Sequence, residues 1–321
     1  MDFIVLGTSK DPHIQFVEDA LKTKGISTWI LDHESDSAGL PDTDRLAFTV
    51  KQLKDRKTRC LWYRAKHVAK NKYLLTEYQT LRYVEQQWAD IYENIITLYE
   101  GIALETISTL RRASKKLLQN TIARNIGFNV PETTLVTQKH QLFDFFENKD
   151  AIILKPLGKS NIPVYLSQSE PMIINDAVLP RKITKDELKT LEAEDIECCP
   201  LYIQKYIEKK HEYRVVMAGD DIYPFRIDSQ SKSYTKTDWR MGNTTLDFHP
   251  CQLDDDIISK LRQYMQEMGL KFGSFDFIHT IDDQIVFLEC NPEGQWAWLD
   301  RRTNGAISRS YADTITKFIH N

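Results

Sequence analysis

Phe272-Gly273-Ser274-Phe275-Asp276-Phe277-Ile278-His279 and Gln284-Ile285-Val286-Phe287-Leu288-Glu289-Cys290 are two apolar runs joined through Asp282-Asp283, and Asn291-Pro292 follows. Aromatic and β-branched residues on either side of a turn read as an antiparallel hairpin. Side chains alternate along a strand, so Glu289 and Asn291 share a face. Pairing the two runs brings Asp276 beside Glu289. Three oxygen-bearing side chains converging at one end of a sheet suit a hard cation such as Mg2+, which takes its remaining ligands from phosphates and water. The spacing alone also admits a plainer reading, in which both carboxylates are solvent-facing strand residues.

Working back from this hairpin, residues 254–268 read as a helix stopped by Gly269, and Tyr213–Ala218 and Ile222–Ile227 as a second hairpin turning at Gly219-Asp220-Asp221. Leu201–Ile207, Val164–Leu166 and Ala151–Pro156 read as strands, Thr133–Val136 as an extended segment, and residues 185–193 as a polar helix. Arg112-Ala113-Ser114-Lys115-Lys116 opens a helix with Leu118, Ile122 and Ile126 on one stripe, ended by Gly127. Residues 41–64 carry strand-like material, ending in Cys60-Leu61-Trp62-Tyr63-Arg64, and residues 71–95 read as one or two helices. At the start, Phe3–Leu6 is a strand. Asp11-Pro12 is a helix N-cap with Pro at the first position, and Phe16, Val17, Ala20 and Leu21 keep helical spacing. Thr28–Leu31 completes a βαβ opening, so the first region is α/β. Its first loop lacks G-x-G-x-x-G, and no dinucleotide site is read there.

A second set of residues is basic. Lys155 ends an apolar strand beside a loop, and Lys116 stands at a helix start, where the macrodipole disfavours a cation unless an anion is bound nearby. Arg214, Arg226 and Arg240 add guanidinium forks suited to phosphate or carboxylate. Each of these alone reads more readily as a solvated surface cation; the set carries the argument. Gln204-Lys205-Tyr206-Ile207 is a strand that can offer backbone groups to an adenine edge, with Glu212 following as an acceptor for ribose hydroxyls, although many ordinary strands share this pattern.

Composition narrows the function classes. The formal net charge of -4 over 321 residues argues against general nucleic-acid binding. No apolar run reaches the roughly 20 residues of a membrane span, and the N-terminus lacks the basic lead of a secretory signal. Five cysteines without a C-x-x-C pair give neither a disulfide frame nor a zinc knot, and a reducing cytoplasm is the expected compartment.

In order, the chain offers a helix-start Lys, a strand-end Lys, a connecting strand with a following Glu, a strand Asp and a Glu-x-Asn. This order resembles the ATP-grasp superfamily. Leu288-Glu289-Cys290-Asn291-Pro292-Glu293-Gly294-Gln295-Trp296-Ala297-Trp298-Leu299 is similar to the signature of its peptide maturases, the graspetide synthetases, which include the microviridin-type ligases. Asp238-Trp239-Arg240, Gly127-Phe128-Asn129-Val130-Pro131 and Trp62-Tyr63-Arg64 extend the resemblance over most of the chain.

It implies an α/β ATP-grasp fold with an N-terminal α/β pre-ATP-grasp domain (1–112), a central lid domain (113–205) and a C-terminal α+β domain holding the metal (206–321). It implies ATP and Mg2+ as cofactors, with Lys116, Lys155, Gln204, Lys205, Tyr206, Ile207 and Glu212 on the nucleotide. Asp276, Glu289 and Asn291 would hold the metal, and Arg214 and Arg240 would contact phosphate or acyl phosphate. The implied activity is activation of Asp or Glu side chains of a ribosomal precursor peptide, leader and core, as acyl phosphates, closing ester or amide cross-links; a homodimer is a family-level expectation. The alternative is ligation to free amino acids or protein tails. Two departures stand out: Gln204 replaces the Glu of many ATP-grasp hinges, and Gly158-Lys159-Ser160-Asn161 is a glycine-poor phosphate loop. Trp296 and Trp298 read first as core residues, given the area an indole buries, with a substrate-facing role as the lesser alternative.

Overall fold

The computed structural model describes residues 3–32, 60–64, 78–158, 161–165, 173–177, 180–242 and 245–320. The strand-like reading of 41–59 and the helical reading of 71–77 lie outside the described residues, as do Lys159 and Ser160 of the phosphate loop and Leu166.

The chain opens with β1 (Phe3–Leu6), α1 (Pro12–Thr23), β2 (Thr28–Leu31), β3 (Cys60–Tyr63), α2 (Tyr78–Leu98) and β4 (Ile102–Ala103). It continues through α3 (Ile107–Ala113), α4 (Lys116–Ile126), β5 (Thr133–Val136), α5 (Lys139–Phe146), β6 (Ala151–Lys155), β7 (Asn161–Tyr165), β8 (Ile173–Ala177) and β9 (Arg181–Thr184). Then come α6 (Lys185–Thr190), α7 (Ala193–Glu197), β10 (Leu201–Lys205), β11 (Lys209–Ala218), β12 (Asp221–Ile227) and β13 (Phe248–Pro250). The C-terminal part is α8 (Asp255–Met268), β14 (Phe272–Thr280), β15 (Ile285–Asn291), α9 (Ala297–Arg302) and α10 (Ala306–His320).

Three larger sheets result among the described residues. A parallel sheet runs β2-β1-β3-β4, a middle sheet β5-β10-β6-β9, and an antiparallel sheet β13-β12-β11-β14-β15; β7 and β8 form a separate ribbon. The last of the large sheets has two packed faces. On one, Val215, Met217, Phe275, Phe277 and Phe287 meet α4 and α8 through Ile122, Ala123, Leu261 and Met265. On the other, Val216, Ala218, Phe225 and Phe272 join Trp296, Leu299, Tyr311 and the parallel sheet in one apolar cluster. Along β11, the residues alternating with the first set are Glu212, Arg214, Val216 and Ala218, so this second face is apolar at one end and charged at the other. The charged end is where the site forms.

Helix α8 shows how sequence sets this packing. Ile257, Leu261, Tyr264, Met265 and Met268 form its buried stripe. Asp255 and Asp256 complement the dipole of its first turn, and Gly269 closes it with φ 71° in the left-handed region.

Three expected boundaries shift. The helix read from residue 112 is two helices, broken at Ser114-Lys115, so that Lys116 is the first residue of α4. The helix over 185–193 breaks because Leu191 turns extended to reach the apolar cluster of the middle sheet. Strand β10 stops at Lys205, and Tyr206 and Ile207 belong to the connection beyond it.

Leu261→Ala removes a fully buried side chain beneath β14 and β15. It is expected to cost about 2–5 kcal/mol in urea unfolding, by lost transfer energy plus a residual cavity. A change below about 1 kcal/mol would contradict this packing.

Candidate active site

A cleft of about 350 Å³ opens over the charged end of the antiparallel sheet, walled by the middle sheet. The sequence-derived residues Lys116, Lys155, Gln204, Lys205, Tyr206, Ile207, Glu212, Arg240, Asp276, Glu289 and Asn291 all line it. Arg214 lies just beneath, buried and bonded to Asp276. Arg226 is set apart, half-exposed on β12 in an ion pair with Asp228.

The floor is set by strand register. Asp276 on β14 pairs with Arg214 on β11 to one side and with Glu289 on β15 to the other. Beyond that pair the register slips, and Phe277 faces Phe287, leaving Leu288 as an inserted residue. This bulge lets both Leu288 and Glu289 face the cleft, while Phe287 and Cys290 stay in the core behind. Simple alternation anticipates Glu289 and Asn291 in the cleft, but not Leu288.

Two guanidinium groups hold the carboxylates. Arg214 Nη1 donates to both oxygens of Asp276 at 3.0 Å, and its Nη2 donates to the Gln295 carbonyl at 3.1 Å. Arg240 Nη2 bridges Asp276 Oδ2 at 2.9 Å and Glu289 Oε1 at 2.5 Å. Asp238 holds Arg240 in place, accepting from its backbone N–H at 2.9 Å and from Nη1 at 3.3 Å. Lys116 Nζ donates to the Pro156 carbonyl at 2.7 Å and lies 4.0 Å from Glu289 Oε2. α4 thereby reaches across to the loop after β6.

Charge and burial set the protonation of these groups. Burial lifts Glu289, but Arg240, Lys155 and Lys116 outweigh it and bring the carboxyl down to about 2. Burial pulls the Lys155 ammonium down to about 8, against the attraction of Glu289. Lys116 is lowered in the same direction and for the same first cause. The cleft therefore holds ammonium groups starved of solvation, which an anion would stabilise.

Gln204 is buried, and its amide donates to Tyr202 Oη at 3.0 Å and Thr133 Oγ1 at 3.2 Å. The backbone amides of Lys205 and Tyr206 donate to the Glu132 and Ala151 carbonyls, at 2.8 and 3.1 Å, so these two donors are engaged within the protein. Glu212 shares its Oε1 with Lys209 Nζ at 2.7 Å, and both side chains are buried.

Sequence reasoning passed over Lys209 and gave Asp238 no role of its own. Alternation would put Lys209 on the face opposite Glu212; a register shift between Lys209 and His211 turns it to the same side. Asp238 had a signal, standing two residues before Arg240 in a string already singled out.

No family model matches the chain. A stretch of 80 residues, 24% of this chain and 19% of that protein, is 35% identical to an uncharacterized protein of Methanocaldococcus jannaschii. Solved structures match over almost the full length. A RiPP-associated ATP-grasp ligase of Chryseobacterium gregarium, in complex with ADP and a leader and core peptide, has a TM-score of 0.81 at 22% identity, covering 99% of this chain and 97% of its own. The macrocyclase MdnC of Microcystis aeruginosa, bound with precursor peptide MdnA, has a TM-score of 0.78 at 23% identity, covering 98% and 99%. The ATP-grasp ligase PsnB, complexed with minimal precursor, Mg and ADP, reaches 0.71 at 14% identity, covering 99% and 97%. The fold is that of the ATP-grasp ligases.

Within this ATP-grasp fold the donor set fits Mg2+. Asp276, Glu289 and Asn291 offer only oxygen, as a hard cation requires. The demand for positive charge at that point is visible, because the Arg240 guanidinium already bridges the two carboxylates.

Lys155 gives a pH signature with a definite sign. An anion beside it raises its pKa, so ligand binding takes up a proton wherever the free protein has lost one, around and above pH 8. Calorimetry of nucleotide binding in buffers of different ionisation enthalpy should show uptake of about half a proton at pH 8, shrinking toward zero near pH 6. Lys155→Met should reduce it, leaving any share from Lys116; equal uptake in both proteins would contradict the assignment.

Proposed function

We propose that the chain is an ATP-dependent peptide ligase that activates side-chain carboxylates of a ribosomal precursor peptide and closes ester or amide cross-links. The observation that carries this reading is the clamped pair Asp276–Glu289 in one cleft with Lys116, Lys155, Arg214 and Arg240. Lys116, Lys155, Lys205, Lys209 and Arg240 line the cleft with Glu212, Asp238, Asp276 and Glu289, and Arg214 beneath adds a further cation, so positive charge is in excess and polyphosphate is favoured. The likeness to ligases solved with ADP, Mg and precursor peptides supports ATP, Mg2+ and a peptide as its ligands.

In this proposal Asp276, Glu289 and Asn291 hold the metal, and Lys116 and Lys155 bind phosphate oxygens. The apolar side chains of Ile153, Ile278 and Leu288 wall the cleft where a flat base can pack. Mg2+ bound by these residues would supply positive charge that offsets the negative charge of the phosphates. A peptide carboxylate oxygen attacks the γ-phosphorus of ATP and ADP leaves, giving an acyl phosphate. A hydroxyl or amine of the same peptide then attacks the acyl carbon, loses its proton, and phosphate departs. Arg214 and Arg240 lie where negative charge builds in both steps, and fixed guanidinium groups stabilise it without reorganising. No protein nucleophile is needed, and Cys290 faces the core, its thiol pushed up by burial. Water must be excluded, since an exposed acyl phosphate hydrolyses. We assign that task to the middle sheet as a closing lid. Its moving part would begin after Phe128, because Ala113, Ile122, Ala123 and Phe128 pack with the C-terminal sheet.

Incubation with ATP, Mg2+ and precursor peptides rich in Thr, Ser, Asp and Glu should remove about 18 Da per link and release ADP and phosphate, the balance of condensation through an acyl phosphate. Asp276→Asn and Glu289→Gln should each lower turnover by about a hundredfold or more with the fold retained. ADP release with an unchanged peptide mass would move the activity to another acceptor, and undiminished turnover in both variants would remove the metal assignment.

A further inference from the structure

Three sequence motifs remain outside the handling of ATP: Asp11-Pro12 at the start of α1, Trp62-Tyr63-Arg64 at the end of β3, and Gly294-Gln295-Trp296 after β15. The structure brings all three together in one buried knot. Asp11 Oδ2 accepts from Arg64 Nε at 2.9 Å, and its Oδ1 accepts from the His13 backbone N–H at 2.8 Å. The same Oδ1 lies 2.5 Å from His13 Nδ1. On the other side of the ring, His13 Nε2 accepts from the backbone N–H groups of Trp296 and Ala297, at 2.8 and 3.1 Å. Asp11, His13 and Arg64 are each at most 9% exposed.

Two amide donors converging on one ring nitrogen decide the tautomer. Nε2 must carry the lone pair, so the proton sits on Nδ1 and is donated to Asp11. The ring also meets Trp296 edge-on, with centroids 4.9 Å apart. Ala297 begins α9, and the first amides of a helix lack partners within it. His13 supplies that partner from the far end of the chain.

The loop thus held presses on the floor of the cleft. The Gln295 carbonyl receives Arg214 Nη2, and Nη1 of the same guanidinium clamps both oxygens of Asp276. Gly294 permits the approach: a Cβ there would stand 2.4 Å from Ser274 Cβ and 2.9 Å from Arg214 Nη2. A continuous series of hydrogen bonds therefore runs from Arg64 and Asp11 through His13, the 295–297 backbone and Arg214 to Asp276.

We infer that His13, held by Asp11 and Arg64, is a positioning residue for the cleft, fixing the 294–297 loop so that Arg214 presents Asp276 to the metal. The inference rests on the proposed function, in which Asp276 is a metal ligand. It also gives the N-terminal α/β region a share in a site that, among the described residues, none of its side chains lines. An oriented outer partner of a metal ligand is worth about ten- to a hundredfold in metal affinity.

The test is ADP binding measured across a Mg2+ series, together with hydrogen exchange of the Trp296 and Ala297 amides. His13→Ala should raise the Mg2+ needed for half-maximal ADP binding by about ten- to a hundredfold and speed exchange at both amides. His13→Gln, whose amide oxygen can accept from the same N–H groups, should recover most of the Mg2+ response. Val17→Ala, which trims the neighbouring apolar cluster without touching the hydrogen bonds, should leave the Mg2+ response unchanged. Should His13→Ala fail to fold, Gly294→Ala pushes the same loop from its other end and should shift the Mg2+ response alike. A double variant with Arg214→Lys should lose less than the two single losses added, since both act along one route. A folded His13→Ala protein with wild-type Mg2+ dependence, or additive losses, would overturn the inference while leaving the proposed function intact. Wild-type ADP binding that ignores Mg2+ would instead overturn that function, and the inference with it.

Discussion

Asp276 and Glu289 face each other across adjacent strands, and two carboxylates at such spacing repel strongly once removed from bulk water. The arrangement persists because Arg214 and Arg240 insert positive charge on either side. Much of the surrounding structure follows from that requirement. Arg214 must be opposite Asp276 in register. Arg240 must be delivered from a separate segment and pinned by Asp238. Lys116 must come to the cleft from the first turn of a helix, and Pro156 must offer it a carbonyl. A bare cation pocket would have formed with fewer parts. In the proposed reaction this one would exchange partners: Arg240 and Lys116 face the carboxylates in the free protein, and phosphate and a divalent cation would take over those contacts.

The same constraint explains the irregularities of the antiparallel sheet. A strictly alternating β15 would send either Leu288 or Glu289 into the core behind the cleft, where Phe277, Phe287 and Tyr264 are already packed. The bulge keeps the aromatic core intact and leaves both residues in the cleft. A second register shift turns Lys209 toward Glu212. Without its partner, that buried carboxylate would be driven further toward its neutral form; as it stands, burial already raises it. Both irregularities lie where the sheet meets the site rather than where it meets the apolar clusters.

The regular parts of this architecture were legible in the sequence because they rest on periodicity and punctuation. Helix α8 announces itself by its stripe and by Gly269, and the two hairpins by Gly219-Asp220-Asp221 and Asp282-Asp283. The neighbourhood of Asp276 and Glu289 followed from pairing two strands. What escaped was set by contacts between distant segments. The break at Ser114-Lys115 has no proline or glycine to mark it, and Leu191 leaves its helix to fill a cluster made by other elements. Bulges insert one residue without a distinctive composition, so Leu288 and Lys209 could not be placed. The bond from His13 to the Trp296 amide joins residues 283 positions apart, and its acceptor is a histidine on an otherwise ordinary helix start. Trp296 and Trp298 were read as core residues; Trp296 is fully buried, stacked on Tyr311, whereas Trp298 packs against the same cluster only partly buried.

The central claim is that Asp276 and Glu289 exchange guanidinium for a divalent cation when nucleotide enters. Mn2+ is a paramagnetic substitute for Mg2+ that favours the same oxygen ligands. Its electron paramagnetic resonance signal can be followed as the ion is titrated into protein with and without ADP. Mn2+ should be retained by wild-type protein together with ADP and released by Asp276→Asn in an otherwise folded protein. Retention of Mn2+ by that variant, with wild-type stoichiometry and affinity, would contradict the claim.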